Sequence, residues 1–361
     1  MKKIVLIAAV FFCAASTFAQ YQFTDNINIE ATSVKNQGST GTCWSFSTTS
    51  FIEAEAMRLG HKDVDFAEMY NVYNTYIDKA NNYVSRQGKA NFSEGSLAHD
   101  VLRMIDEHGI VPQSTYSALH ENESRYNHSE MVSALKGFLD GVVSNGKPSA
   151  HWREAFKGIL EAYMGAPVLD FKVNGTAYNP KSYAKAMGID ASNYVSISSF
   201  THAPFYKSFI LNIPDNYSNQ SFYNVPLQEM VDVVNTALEK GYSVEWDGDV
   251  SEKGFGRKEG IAVLPADMKS NFLSEPNKEI AVTQALRQAA FENYTTTDDH
   301  LMHLVGKAKD QKGNVYYIIK NSWGNSSPYE GYLYMSEAYF KMKTVSITVH
   351  KDVAPKKAIV K

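Results

Sequence analysis

Four residues with the side chains needed for acyl-transfer chemistry are spread along this chain. Cys43 supplies a thiol, His300 an imidazole, and Asn321 and Gln37 supply side-chain amides. A thiol becomes a strong nucleophile when a base removes its proton. An imidazole does this near neutral pH, and a neighbouring amide fixes its tautomer. A second amide can donate to the oxyanion that forms when a thiolate attacks a carbonyl. The sequence therefore predicts a nucleophile, its base, the residue that orients the base and an oxyanion donor.

The cysteine content favours a reactive thiol at position 43. The only other cysteine, Cys13, falls in residues 1–19. That segment starts with a positive charge, continues with a short apolar run and ends in small residues, the pattern of a secretory signal peptide. A membrane anchor would need about 20 apolar residues, which this run does not provide. We expect a mature chain from residue 20, in the periplasm or secreted, with Cys43 as its single thiol and no intrachain disulfide.

Composition restricts the class of protein. The 361 residues are 44% hydrophobic, enough for a large core, so the chain is predicted to be globular. Lys plus Arg number 35 and Asp plus Glu 39, a net charge of -4. Without a basic patch or a long run of one sign, nucleic acid is not an expected partner, and neither is a membrane after signal removal. A homo-oligomer is compatible with the sequence.

Hydrophobic periodicity predicts helices early in the chain and strands late, an α+β arrangement. Cys43 would lie at the N-terminus of the first helix, where the helix dipole is expected to lower the pKa of the thiol. His300 would begin a strand. The predicted helices cover 44–59, 97–108, 129–143, 152–163 and 224–241, and the predicted strands cover 242–246, 301–305, 315–320, 331–335 and 345–349.

These motifs resemble the papain-like cysteine peptidase superfamily, and within it the bleomycin hydrolase and aminopeptidase C family. His300 and Asn321 lie 257 and 278 residues beyond the cysteine, whereas papain itself has about 130 to 150, so an insertion is expected. The resemblance runs from about 29 to 355. It is carried by the stretches Gln37 to Trp44, Asp65 to Tyr70, Gly109 to Pro112, Val244 to Val250 and Asn321 to Gly324.

The resemblance implies two subdomains that face each other across a cleft. A helical half with the cysteine helix would cover about 30–118, a largely helical insertion about 119–225, and a β-barrel-like half with the histidine and asparagine about 226–351. The whole of 20–361 would form one peptidase domain. In this family a C-terminal arm enters the cleft, and its carboxylate can hold the substrate's α-amino group; here 352–361 forms a short tail that could do the same.

The resemblance also implies substrate-binding residues. Gly95 and Ser96 match the position at which the family has two glycines that bind extended substrate, although Ser96 replaces the second glycine. Trp323 would shield the hydrogen bond between the base and its orienter. His303 is the alternative base, since residues three apart on a strand point to opposite faces and only one can face the cleft. The two histidines lack the His-Glu-x-x-His spacing of a zinc site, and no metal or cofactor is predicted.

The predicted function is hydrolysis of peptide bonds through a cysteine thioester, with an aminopeptidase favoured by the resemblance. Three alternatives remain open. The same site could act as an endopeptidase, could transfer the acyl group to an amine in place of water, or could belong to a non-catalytic protein that binds peptides.

Overall fold

The computed structural model describes residues 20–359, so the predicted signal segment 1–19 lies outside the described residues. No helix in the described part is long and apolar enough to cross a membrane. The helices are α1 (Cys43–Arg58), α2 (Glu68–Ser85), α3 (Ala98–His108), α4 (Ser129–Ser144), α5 (Trp152–Met164), α6 (Pro180–Ala186), α7 (Leu227–Glu239), α8 (Gln284–Glu292), α9 (Glu337–Lys343) and α10 (Lys356–Ile359), with a short 3-10 helix at Ala191–Asn193.

The strands form one large mixed sheet and one small hairpin. They are β1 (Phe23–Asn28), β2 (Phe171–Val173), β3 (Thr176–Tyr178), β4 (Tyr194–Ser198), β5 (Ser208–Ile210), β6 (Ser221–Asn224), β7 (Val244–Gly248), β8 (Phe255–Gly256), β9 (Ile261–Ala262), β10 (His300–Asp310), β11 (Val315–Lys320), β12 (Tyr332–Ser336) and β13 (Thr344–His350). The sheet order is β5-β6-β4-β13-β7-β10-β11-β12-β9-β8, with β1 paired to β10. Within residues 20–359 this path does not close, so the β-rich half is an open sheet and not a barrel.

Helix α1 lies at the centre of the molecule. Its first fourteen residues are all buried, polar ones included, because α2 and α3 pack on one side and β10 on the other. A helix covered on several sides has no need of a polar face. This seam between α1 and β10 fixes the helical half against the sheet, and both elements begin at the same edge.

The sheet has its own hydrophobic core on the face covered by α7 and α9. Trp246, Tyr317 and Phe340 are fully buried there. Strand β10 pairs antiparallel with both β7 and β11, so it has ladder hydrogen bonds on each side. A strand held on both sides is rigid, and its first residue is therefore well positioned.

The inserted region is less helical than predicted. It contains α4, α5 and α6, but also β2 to β6, and three of these strands extend the main sheet because β4 pairs with β13, β6 with β4 and β5 with β6. The strands have three to five residues each. Segments this short carry too little alternation to be recognised in the sequence.

All five predicted helices and all five predicted strands are present, with ends displaced by a few residues. The largest omission is α2, whose eighteen residues are rich in Asn and Tyr. These residues have low intrinsic helix propensity. Burial of Tyr70, Tyr73 and Tyr76 on α2 supplies the stability that propensity does not.

Gly109 joins the helical half to the inserted region. It ends α3 with φ 82°, and a Cβ there would lie 2.2 Å from the carbonyl carbon of Pro180. The next residue, Ile110, donates its N–H to the Pro180 carbonyl at 3.1 Å. Only glycine allows this approach.

We predict that Gly109→Ala destabilises the protein more than Gly60→Ala does. Gly60 also has a positive φ, 98°, but nothing lies within 4 Å of its Cβ position. Gly60→Ala should therefore lower the free energy of unfolding only by the cost of a positive φ in alanine, about 1–2 kcal/mol. Gly109→Ala should lower it by a further steric cost of about 1–3 kcal/mol. Urea unfolding of both variants measures the difference, and equal losses would show that the Pro180 contact is not constraining.

Candidate active site

Cys43 is the first residue of α1, at the edge where the helix meets the sheet. Its side chain is buried, and the backbone N–H groups of Leu301 and Trp44 lie close enough to the sulfur to lower the pKa of the thiol. The first turn of α1 contains no acidic residue. The positive end of the helix is therefore available to a negative charge on the sulfur.

His300 is the first residue of β10, directly before the residue whose N–H contacts the thiol. Its Nε2 lies 2.8 Å from Asn321 Oδ1. That oxygen also accepts the backbone N–H of Ser322 at 2.7 Å, which identifies it as an acceptor. Nε2 must then carry the hydrogen, and this leaves Nδ1 with a free lone pair.

Trp323 covers the imidazole. The imidazole and indole rings stack with centroids 4.5 Å apart and planes at 27°. The guanidinium of Arg257 lies over the Trp323 ring, 4.7 Å from its centroid. A hydrogen bond shielded from water is stronger than an exposed one. The predicted shielding role of Trp323 therefore has a geometric basis.

Gln37 is held by three hydrogen bonds, two of them made by its side-chain amide. Its Oε1 accepts from Ser322 Oγ at 2.6 Å, its Nε2 donates to the Thr40 carbonyl at 2.6 Å, and its backbone N–H donates to the Ser322 carbonyl at 2.9 Å. Nε2 has two hydrogens, so one stays available for an oxyanion. Ser322 could not be singled out from the sequence, because its contact with Gln37 joins residues far apart in the chain.

His303 lies inside the protein and not in the cleft. It is fully buried, and its Nδ1 is 2.9 Å from Ser50 Oγ on the inner side of α1. Ser50 Oγ also accepts from Lys320 Nζ at 2.7 Å. The alternative base is therefore part of a buried polar cluster between α1 and β11, away from the sulfur.

The segment 94–96 packs against the loop and the first turn of α1 around the cysteine. Glu94 accepts two hydrogen bonds from the cysteine region, one at its carbonyl from Trp44 Nε1 at 2.9 Å and one at its carboxylate from the Gly41 N–H at 2.6 Å. The side chain of Ser96 is buried and donates to Asp100 at 2.7 Å. The role of Gly95 and Ser96 in binding a substrate concerns their backbone groups and stays a prediction.

The pKa of the thiol differs from the sequence expectation. Burial raises the pKa of Cys43 to about 12, against the lowering effect of the Leu301 and Trp44 N–H groups. Burial also lowers the pKa of His300 to about 4, although its hydrogen bond to Asn321 acts in the opposite direction. Desolvation thus outweighs the two N–H groups. At neutral pH the thiol and the imidazole are both uncharged.

Comparisons with known proteins agree with this geometry. A family model described as "Peptidase C1-like family" matches residues 170–361, and one described as "Papain family cysteine protease" matches residues 21–169. Aminopeptidase W of Lactobacillus delbrueckii subsp. lactis is 23% identical, over 92% of this chain and 84% of its own length. Bleomycin hydrolase of Rattus norvegicus is 20% identical, over 94% and 85%.

A solved structure shares the fold. The crystal structure of PepW from Lactobacillus rhamnosis superposes with a TM-score of 0.73 at 18% sequence identity, covering 93% of this chain and 83% of that one. A likeness of this size shows that the two chains share one architecture, including the inserted region.

We predict that alkylation of Cys43 by iodoacetamide depends on a base with a pKa of about 4. Above that pH the His300 imidazole is neutral and can take the thiol proton; below it the ring is protonated and cannot, so the rate should fall as the pH drops through about 4. The alkylation rate of His300→Ala should no longer show this fall at low pH. Near pH 7 its rate should be at least about tenfold lower than that of wild type, because a thiol without the imidazole is almost fully protonated.

His303→Asn is the matched control, since it keeps a polar contact for Ser50 and leaves the cleft unchanged. It should retain the wild-type pH dependence. Alkylation of His300→Ala at the wild-type rate across this pH range would show that the imidazole is not the base.

Proposed function

We propose that this chain, which belongs to the peptidase C1-like family, is an aminopeptidase that uses Cys43 as its nucleophile. The chain is a cysteine peptidase of the papain type, and its substrates are peptides. The observation that carries the assignment of residues is the packing of α1 against β10, which begin with Cys43 and His300.

The proposed reaction begins with proton transfer from the thiol to His300 Nδ1. The sulfur attacks the substrate carbonyl, and the resulting oxyanion receives hydrogen bonds from Gln37 Nε2 and the Cys43 backbone N–H. His300 then returns the proton to the leaving amine as the C–N bond breaks, which leaves an acyl thioester. Water, deprotonated by the same imidazole, hydrolyses the thioester and restores the thiol.

Asn321 acts through His300. By accepting the Nε2 hydrogen at 2.8 Å, it keeps Nδ1 as the basic nitrogen and limits rotation of the ring. An asparagine does this without adding a negative charge, and the low pKa of the imidazole is therefore retained. Ser322 supports the same arrangement by ordering both the Asn321 and the Gln37 amides.

The aminopeptidase mode is supported by two kinds of observation. Several relatives with similar coverage carry the name aminopeptidase, among them aminopeptidase W and aminopeptidase C. In addition, the carboxylate of Asp215 packs directly against Gly95, a position that the family resemblance assigns to substrate binding, and we infer that it leaves little room there for a longer chain.

We predict that a short peptide with a free amino terminus loses its residues one at a time from that end, and that its acetylated counterpart is much more resistant. Cys43→Ala should reduce the rate by roughly a thousandfold or more while the fold is kept, because the thiol forms the covalent bond and makes few packing contacts. Mass spectrometry of timed digests identifies the products. Internal fragments as the first products would indicate an endopeptidase, and turnover by Cys43→Ala within about tenfold of wild type would contradict the role of the thiol.

A further inference from the structure

Arg257 lies next to the proposed site on the side of the imidazole. Its guanidinium is 4.7 Å from the centroid of the Trp323 ring, and the same ring stacks on His300 with centroids 4.5 Å apart. An arginine stays positively charged at every pH at which a protein is folded. One indole ring therefore contacts both the proposed base and a fixed positive charge.

The backbone that carries Arg257 belongs to a hairpin at the edge of the main sheet. Arg257 directly follows β8, which pairs with β9, and β9 pairs with β12. The turn closes through the Gly260 N–H, which donates to the Gly256 carbonyl at 2.8 Å. Phe255 at the start of β8 meets Trp323 edge to face, with ring centroids 6.1 Å apart. The hairpin thus holds Arg257 and the indole in place before a substrate binds.

The charge of Arg257 is not neutralised by the acids of its own loop. Arg257 is exposed, and in the described part of the chain no acid forms a salt bridge with it. Glu252 pairs with Lys343 instead. The carboxylate of Glu259 turns to Gly256, where it lies 2.7 Å from the position of an added Cβ. The guanidinium is therefore available to an acid from outside the chain.

Asp299 is the acid next to the imidazole in the chain, and it is bonded to other groups. Its Oδ1 accepts from the Thr297 hydroxyl at 2.7 Å, and its Oδ2 accepts from the Ser251 N–H at 3.2 Å. Both oxygens of Asp299 thus have donors from the protein. The side-chain N–H groups of Arg257, by contrast, have no hydrogen-bond acceptor within residues 20–359.

The leaving part of a substrate must begin at His300. In the proposed reaction the imidazole returns its proton to the leaving amine, so this nitrogen lies against the ring. His300 and Asn321 are only 3% and 5% exposed, whereas Trp323 is partly exposed. The surface next to the leaving amine is therefore the indole, with Arg257 beyond it. The two ring contacts together span about two to three extended residues.

We propose that Arg257 is a specificity-determining residue that binds a carboxylate in the leaving part of the substrate. The carboxylate is that of an acidic side chain or of a C-terminus, within the first three residues after the cleaved bond. A guanidinium fits either source, because its planar fork donates two parallel hydrogen bonds to a carboxylate. This inference rests on the proposed roles of Cys43 and His300, from which the position of the leaving amine follows.

The alternative role of Arg257 is support of Trp323 through the cation–π contact alone. In that case its removal would lower kcat/KM by the same factor for every substrate, because the indole shields the hydrogen bond between His300 and Asn321 whatever the substrate is. Only direct binding of a carboxylate makes the effect depend on the charge of the substrate. A ratio between matched substrates therefore separates the two roles.

The test measures kcat/KM for two matched pairs of peptides, with the products identified by mass spectrometry. Leu-Ala-Glu-Ala amide and Leu-Ala-Gln-Ala amide differ in the charge of one side chain. Leu-Ala-Ala and its C-terminal amide differ in the charge of the terminus. Wild type should prefer the charged member of at least one pair by about threefold to tenfold at low salt, and that pair identifies the source of the carboxylate. The preference should shrink as the salt concentration rises.

Arg257→Gln should abolish this preference, and Arg257→Lys should retain part of it because the charge is kept without the fork. Arg257→Glu should favour Leu-Ala-Lys-Ala amide over the glutamine peptide. Lys258→Gln is the matched control, since Lys258 is an exposed cation of the same turn, and it should leave the ratios unchanged.

Two results would overturn the inference while the proposed function stands. One is that wild type cleaves both members of each pair equally well. The other is that Arg257→Gln lowers all four kcat/KM values by the same factor, which would show that Arg257 only supports Trp323. If wild type cleaves none of the four peptides, the proposed function is wrong, and this inference is wrong with it.

Discussion

The packing of α1 against β10 is the constraint on which the site depends. Cys43 begins the helix and His300 begins the strand, so the position of the proposed nucleophile relative to its proposed base is fixed by how two buried elements meet. The Leu301 N–H, which lowers the pKa of the thiol, lies at that meeting point. The loops contribute the other proposed parts: the 37–42 turn brings Gln37, and the turn after β11 brings Asn321 and Trp323.

Burial determines the chemistry of this site as much as the identity of its residues does. It raises the pKa of the Cys43 thiol and lowers that of the His300 imidazole, so both groups are uncharged at neutral pH. In the proposed reaction the proton therefore starts on the sulfur and the imidazole is free to accept it.

Short motifs and hydrophobic periodicity were sufficient to predict the features that depend on residues close together in the chain. Cys43, His300, Asn321 and Gln37 stand in short motifs, and the helix and strand that hold the first two have clear periodicity. Asp215 had no such signal, because its significance comes from contact with Gly95, far away in the chain. The raised thiol pKa was also missed, since a helix N-terminus is visible in a sequence while desolvation depends on everything packed around the sulfur.

The most direct measurement is the intact mass of the enzyme, quenched in acid during turnover of an activated leucine ester whose acylation is faster than its hydrolysis. A covalent leucyl group should be present on the peptide that contains Cys43, and it should be absent from Cys43→Ala and strongly reduced in His300→Ala. Hydrolysis of the ester without any acyl group on that peptide, or an acyl group on another residue, would contradict catalysis by the Cys43 thiol.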